Sequence, residues 1–406
     1  MMAMTWKQAA LAALLAVGLT ACGTIDRPDP IPLRLVSGLV APTIDPRIRA
    51  GDEQKLAEVT RAFTARLSSD KDTNVLALSG GGANGAYGAG VLVGWTQAGT
   101  RPQFDIVTGI STGALAAPFA FLGSDWDDEL RTAYASGQAE GILGPRGLAA
   151  FVAPSLFSPA KLKQLVDDNV TPELLRAIAA EHAKGRRLLV ITTNLDGEES
   201  VIWDMGVLAT QGDEQALILF RRVLVASASI PGVFPPVMIA GLTEGRLVEE
   251  MHVDGGVNMP FLATPEAMLN WTNPHRGTGR HAIYVLVNGQ VSRDYQVVRG
   301  RLPDIMMRTY DSMTKASLRT HLVANAVFAQ RNGVNFQVAA IPADITASSL
   351  NFRAASMQAM FERGRESAAA GQAWAPLNEG NSVGALPPAV EVETPAVTEV
   401  AVTPTP

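Results

Sequence analysis

Five apolar runs punctuate the middle of the chain: "NVLAL" at 74–78, "FDIVTGI" at 104–110, "RRLLVITTNL" at 186–195, "HAIYVLVNG" at 281–289 and "VNFQVAA" at 334–340. Each is short and rich in β-branched residues, the pattern of buried strands. Between them lie longer segments of helical period, at 84–99, 112–122, 158–169, 172–185 and 213–229. Alternation of this kind predicts an α/β fold, with a mainly parallel central sheet flanked by helices in a single domain over residues 51–375. Ligands in such folds sit beyond the carboxyl ends of the strands, so the strand-to-helix turns are where chemistry is sought.

The two ends read differently. "MMAMTWK" carries a single Lys7 and precedes the apolar "AALAALLAVGL", which is too short to span a bilayer and predicts a signal peptide over residues 1–21. It runs into "LTAC", ending at Cys22, the only cysteine of the protein. This stretch resembles the lipobox of bacterial lipoproteins, which implies lipidation of Cys22 and anchoring in the cell envelope. Gly23 follows where an Asp would imply retention in the inner membrane, so the outer membrane is expected. Prolines at 28, 30, 32, 42 and 46 make residues 22–50 a tether, and the Pro-, Thr-, Val- and Glu-rich residues 376–406 a disordered tail. With 33 basic against 39 acidic residues and a formal charge of −6, the chain shows no basic excess of the kind nucleic-acid binding needs.

"SGGGANGAYGAG", Ser79 to Gly90, packs six glycines into twelve positions directly after the first strand. Bare backbone there leaves amide N–H groups open to something electron-rich. Three readings are available. Gly80, Gly82 and Gly85 fit a dinucleotide G-x-G-x-x-G, but Asp105 opens the second strand where an acidic residue should close it. A phosphate-binding P-loop lacks its Gly-Lys-Ser/Thr. An oxyanion hole needs only N–H groups aimed at a reacting carbonyl. The end of the second strand favours the last: "GISTG", Gly109 to Gly113, is a G-x-S-x-G elbow running into a helix, which makes Ser111 the candidate nucleophile.

A serine nucleophile needs a proton acceptor. The five histidines, His182, His252, His275, His281 and His321, lie in no distinctive turn. "HVDGGV" at 252–257 differs, because a strand-like run ends at Asp254 with Gly255 and Gly256 behind it, a geometry open to both a turn-forming aspartate and a base. His252 would share a strand face with Asp254 and could support it. "ASASIPGVFPP" ends a helical run in an apolar turn, fitting either a packed helix terminus or a wall near an acyl chain.

Together, "SGGGANGAYGAG", "GISTG", "ASASIPGVFPP" and "VDGGV" resemble the patatin-like phospholipases in order and approximate separation. The resemblance implies a patatin-like catalytic domain without metal or cofactor, with Ser111 and Asp254 as a histidine-free dyad. It further implies that the backbone of Gly80, Gly81, Gly82 and Ala83 forms the oxyanion hole and that membrane lipid is the substrate. Asn84 stands where the family commonly carries Arg or Lys, a departure that removes a side-chain contact to phosphate. A general carboxylesterase, a Ser-Asp-His α/β-hydrolase and a lipid-binding lipoprotein without turnover are the competing readings; the α/β-hydrolase usually places its nucleophile after several strands, and here one strand-helix unit precedes it.

Overall fold

Strands form where the apolar runs fall. The computed structural model of the chain describes residues 45–49, 51–144, 155–243, 246–293, 295 and 297–377. The expected signal peptide, Cys22, most of the expected tether and all but the first two residues of the expected tail lie outside the described residues.

The strands are β1 (Arg47–Arg49), β2 (Thr73–Leu78), β3 (Ile106–Gly109), β4 (Arg187–Asn194), β5 (Glu199–Asp204), β6 (Val237–Thr243), β7 (Arg246–Asp254), β8 (His281–Val287), β9 (Asn335–Ala340) and β10 (Ala375–Pro376). They form one sheet in the order β1-β5-β4-β3-β2-β8-β9-β10, with β7 paired to β4 and β6 to β7. The five strands read from the sequence, β4-β3-β2-β8-β9, form its parallel centre. Antiparallel β5 and β7 flank β4, β1 closes one edge and β10 the other. The sheet is therefore mixed, parallel where it is most deeply buried.

The helices are α1 (Glu53–Leu67), α2 (Gly85–Gln97), α3 (Thr112–Leu122), α4 (Asp127–Ala135), α5 (Ala160–Asn169), α6 (Pro172–Ala183), α7 (Met205–Thr210), α8 (Glu214–Ser227), α9 (Leu302–Asn332) and α10 (Ala354–Ala369). Residues of β2 alternate between two cores: Leu76 and Leu78 pack with α2, α3 and α8, while Val75 and Ala77 pack with α1 and α9. A period of two with both faces covered makes the strand apolar throughout.

The amino-terminal boundary moves. Residues 47–49 were expected in the tether, yet β1 pairs with β5 and its two arginines are buried. They are tolerated inside because Glu250 of β7 receives both: Arg49 Nη2 lies 2.5 Å and Arg47 Nη1 3.3 Å from its carboxylate. At the other end β10 carries the fold to Pro376, one residue beyond the expected close.

Candidate active site

Ser111 sits between β3 and α3 with φ 57° and ψ −128°, a left-handed conformation that serine rarely adopts. The strained turn is held from both sides. A side chain on Gly113 would stand 2.5 Å from the carbonyl of Leu78, and one on Gly109 2.5 Å from that of Gly113, so β2, β3 and α3 close on the elbow only with glycine there. The Ser111 amide donates to Ser227 Oγ at 3.0 Å, and that hydroxyl donates to the carbonyl of Ile191 at 2.6 Å.

Asp254 ends β7, opposite Thr192 of β4. Its amide donates to the Ser229 carbonyl at 3.0 Å, and its Oδ1 accepts from the Gly256 amide at 2.7 Å. Gly255 lies against the Ile191 carbonyl, where no side chain fits. Burial pushes the carboxyl up to about 7; the neighbouring Ser111 hydroxyl and the Gly256 amide offset this in part. Oδ2 is buried and completes no hydrogen bond of full geometry among the described residues. The Ser111 hydroxyl stands near enough to this carboxyl to bear on its proton, a placement open to proton transfer between the two.

The glycine loop packs on this pair. A side chain on Gly80 would stand 3.1 Å from Ser111 Cβ, and Gly82 has φ 56°. The amides of Gly80, Gly81 and Gly82 donate to no protein acceptor among the described residues. Ala83 differs: its amide donates to the Ser349 carbonyl at 2.9 Å. The expectation that Ala83 supplies an oxyanion donor is corrected accordingly, because its hydrogen is already committed. Gly85 begins α2 against Thr112 and Tyr134, and Asn84 is buried with its amide on the Gly81 carbonyl. Asn288, just beyond β8, fixes the loop at its root by donating from its amide to Ser79 Oγ and from Nδ2 to the Ser79 carbonyl.

Two cavities meet at Ser111. One is an open cleft of about 570 Å³ bordered by Gly80, Gly81, Gly82, Asp254 and the side of α9. The other is lined almost wholly by apolar side chains, among them Leu115, Phe119, Leu162, Val166, Ile230 and Phe234. Ile230 and Phe234 of the "ASASIPGVFPP" turn thus form a cavity wall.

The histidines stand elsewhere. His252 shares a strand face with Asp254, but its Nδ1 lies 2.9 Å from Thr192 Oγ1 and its Nε2 3.5 Å from Glu250. His182 faces Asp204 and His321 turns back to Ser317. No group of three His, Cys, Asp or Glu residues placed to hold a metal occurs among the described residues. Four contributors were not legible from spacing: Ser227, Ser229, Asn288 and Tyr310. The Tyr310 phenol, raised by burial and then by the charge of Asp254, borders the cleft beside that carboxylate.

Residues 76–265, which carry Ser111, Asp254, Ser227, Ser229 and the glycine loop, match the family model described as Patatin-like phospholipase. This segment is similar to the patatin-like phospholipases. That family is one of serine hydrolases, and the match supports an enzyme of that kind. No curated protein matches the chain. Among solved structures, VipD from Legionella pneumophila is 13% identical, with 75% of this chain and 68% of that one covered and a TM-score of 0.35. The type III effector protein ExoU is also 13% identical, with 75% of this chain and 54% of that one covered and a TM-score of 0.27, so this chain spans about half of its length.

Proposed function

We propose that this protein hydrolyses fatty-acyl esters of phospholipids or lysophospholipids through a Ser111–Asp254 dyad. The observation that carries the reading is the meeting of two cavities at Ser111, an apolar one suited to an acyl chain and an open one suited to the rest of the lipid. Ser111 Oγ attacks the ester carbonyl and its proton passes to Asp254. The amides of Gly80, Gly81 and Gly82 receive the oxyanion, with one such donor typically worth about 2.7–4 kcal/mol. Collapse of the tetrahedral intermediate releases the alcohol, which takes the proton from Asp254. Water then attacks the acyl-enzyme, Asp254 accepts its proton, and the fatty acid leaves as Ser111 regains that proton. A carboxyl near 7 holds its proton loosely enough to serve in both directions at neutral pH. Lipidation at Cys22 would place this chemistry on the bacterial envelope, a reading supported by the "LTAC" sequence.

The test is incubation of the purified chain and its Ser111→Ala variant with total bacterial lipids, followed by mass spectrometry. Phospholipids or lysophospholipids should lose fatty acid with the unmodified chain alone, and a fluorophosphonate should label it at Ser111. Identical lipid profiles together with turnover of short soluble esters would make it a general carboxylesterase. A folded chain that takes no label would make it a lipid-binding protein.

A further inference from the structure

Helix α9 has two neighbouring stripes with different exposure. Met307, Tyr310, Thr314 and Leu318, at helical spacing, line the cleft that holds Ser111. Met306 and Met313, about 100° further round and with Ile305 beside them, point outward at 62%, 68% and 47% exposure. The segment leading into the helix continues this surface: Val297 and Val298, 79% and 38% exposed, are themselves part of the cleft wall, and Tyr295 is 92% exposed. Large apolar side chains clustered in solvent at the rim of one cleft are unlike the scattered exposed residues of an ordinary surface.

The charge of the same stretch is also distinctive. Between Val291 and Thr320 the sequence holds Arg293, Arg299, Arg301, Arg308, Lys315 and Arg319 against Asp294, Asp304 and Asp311, in a protein whose overall charge is −6. Arg293, Arg299 and Arg301 are exposed. Apolar side chains bordered by arginines, on a surface running directly into a cleft, fit the headgroup region of an anionic bilayer.

We propose that Tyr295, Val297 and Val298 together with the Ile305–Met313 part of α9 dock the protein on an anionic lipid surface and set the mouth of the cleft against it. The inference rests on the lipid-substrate reading above. A lipid could then enter the cleft along Val297 and Val298 without its acyl chain crossing water.

Cys22→Ser leaves the full-length chain without cysteine, so Met313→Cys can carry a single environment-sensitive fluorophore. Vesicles of phosphatidylcholine with phosphatidylglycerol should raise its emission at least about twofold with a blue shift, and high salt should reverse this. Pure phosphatidylcholine vesicles should do much less, as should either vesicle with the label at Glu58→Cys on α1. An unchanged Met313 signal, or an equal response to neutral vesicles, overturns the proposal. So does a label already in an apolar environment without vesicles, since that places the rest of the chain or a second copy over the patch. Hydrolysis by the unlabelled chain separates the two readings: a vesicle response without lipid turnover sinks the substrate and leaves the surface, and turnover without the response does the reverse. Ile305→Asp, Met306→Asp and Met313→Asp together should slow vesicle hydrolysis at least about tenfold while leaving a short soluble ester within about twofold.

Discussion

Ser227 is a fully buried hydroxyl with two tasks, accepting from the Ser111 amide and donating to the Ile191 carbonyl. Two residues on, the Ser229 carbonyl holds the amide of Asp254, so one short stretch at the end of α8 fixes both members of the proposed dyad. Ser227→Ala leaves a buried donor and a buried acceptor unpaired, a loss of roughly 1–3 kcal/mol in stability. Because the freed donor belongs to the strained elbow, kcat should also fall about 10- to 100-fold with KM nearly constant, and fluorophosphonate labelling should slow in parallel. Full kcat in a variant with a lower Tm would show that Ser227 only supports the fold. The sequence displayed the apolar half of this turn, Ile230 and Phe234, because large side chains after a helix fit either a packed terminus or a wall. It could not display Ser227, since a serine in a helix says nothing of which amide it will meet 116 residues away. Ala83 misled for the opposite reason: the family resemblance extended the oxyanion hole to its amide, and the Ser349 carbonyl that occupies it comes from far along the chain.

Helix α2 draws glycines from the same sequence block as the loop but uses them otherwise. A side chain on Gly90 or Gly94 would run into the carbonyls of Phe361 and Arg365 on α10, and one on Gly364 into the carbonyl of Tyr87. The two helices thus meet backbone to backbone, and the glycine density of residues 79–94 reflects two demands, bare amides at the site and close packing behind it. Only the first was readable, because α10 lies some 270 residues downstream of α2. Gly94→Val should force the helices apart and destabilise the protein by about 1–3 kcal/mol or more, measured by urea denaturation. Gly99, positive in φ with open space around it, takes alanine with strain but no collision and serves as the comparison. Equal losses at the two positions would mean that the α2–α10 contact is not close-packed.

Across the whole molecule, the parallel centre of the sheet was legible because strands covered on both faces must be apolar at successive positions. The flanking strands were less legible for a matching reason: of β7 only the end at Asp254 read as strand-like, and β1 not at all. β7 carries Glu249 and Glu250, and β1 is "RIR", so each looks polar until the other supplies its counter-charge across the sheet. A buried ion network is written in two halves about two hundred residues apart, and neither half alone resembles a core.

With Asp254 as the proposed base, its desolvation would set the activity and the stability of the molecule in opposition along the pH axis. Its carboxyl titrates near 7 when folded and near 3.8 otherwise, so folding favours the protonated form. That contribution to stability is complete below about 4 and is lost as pH rises towards 7, the same range over which the proposed base would be generated. kcat/KM for a soluble ester should therefore climb with an apparent pKa of about 7 and level off above it. Asp254→Asn, which cannot ionise, should lose several orders of magnitude in kcat yet gain in Tm relative to the unmodified chain between pH 5 and pH 8. A Tm difference constant across that range would mean that the carboxyl is not desolvated in the resting fold. If it is, natural selection has kept a residue that loosens the protein under the very conditions in which it works, and the inactive variant would outlast the active enzyme on storage at mildly alkaline pH.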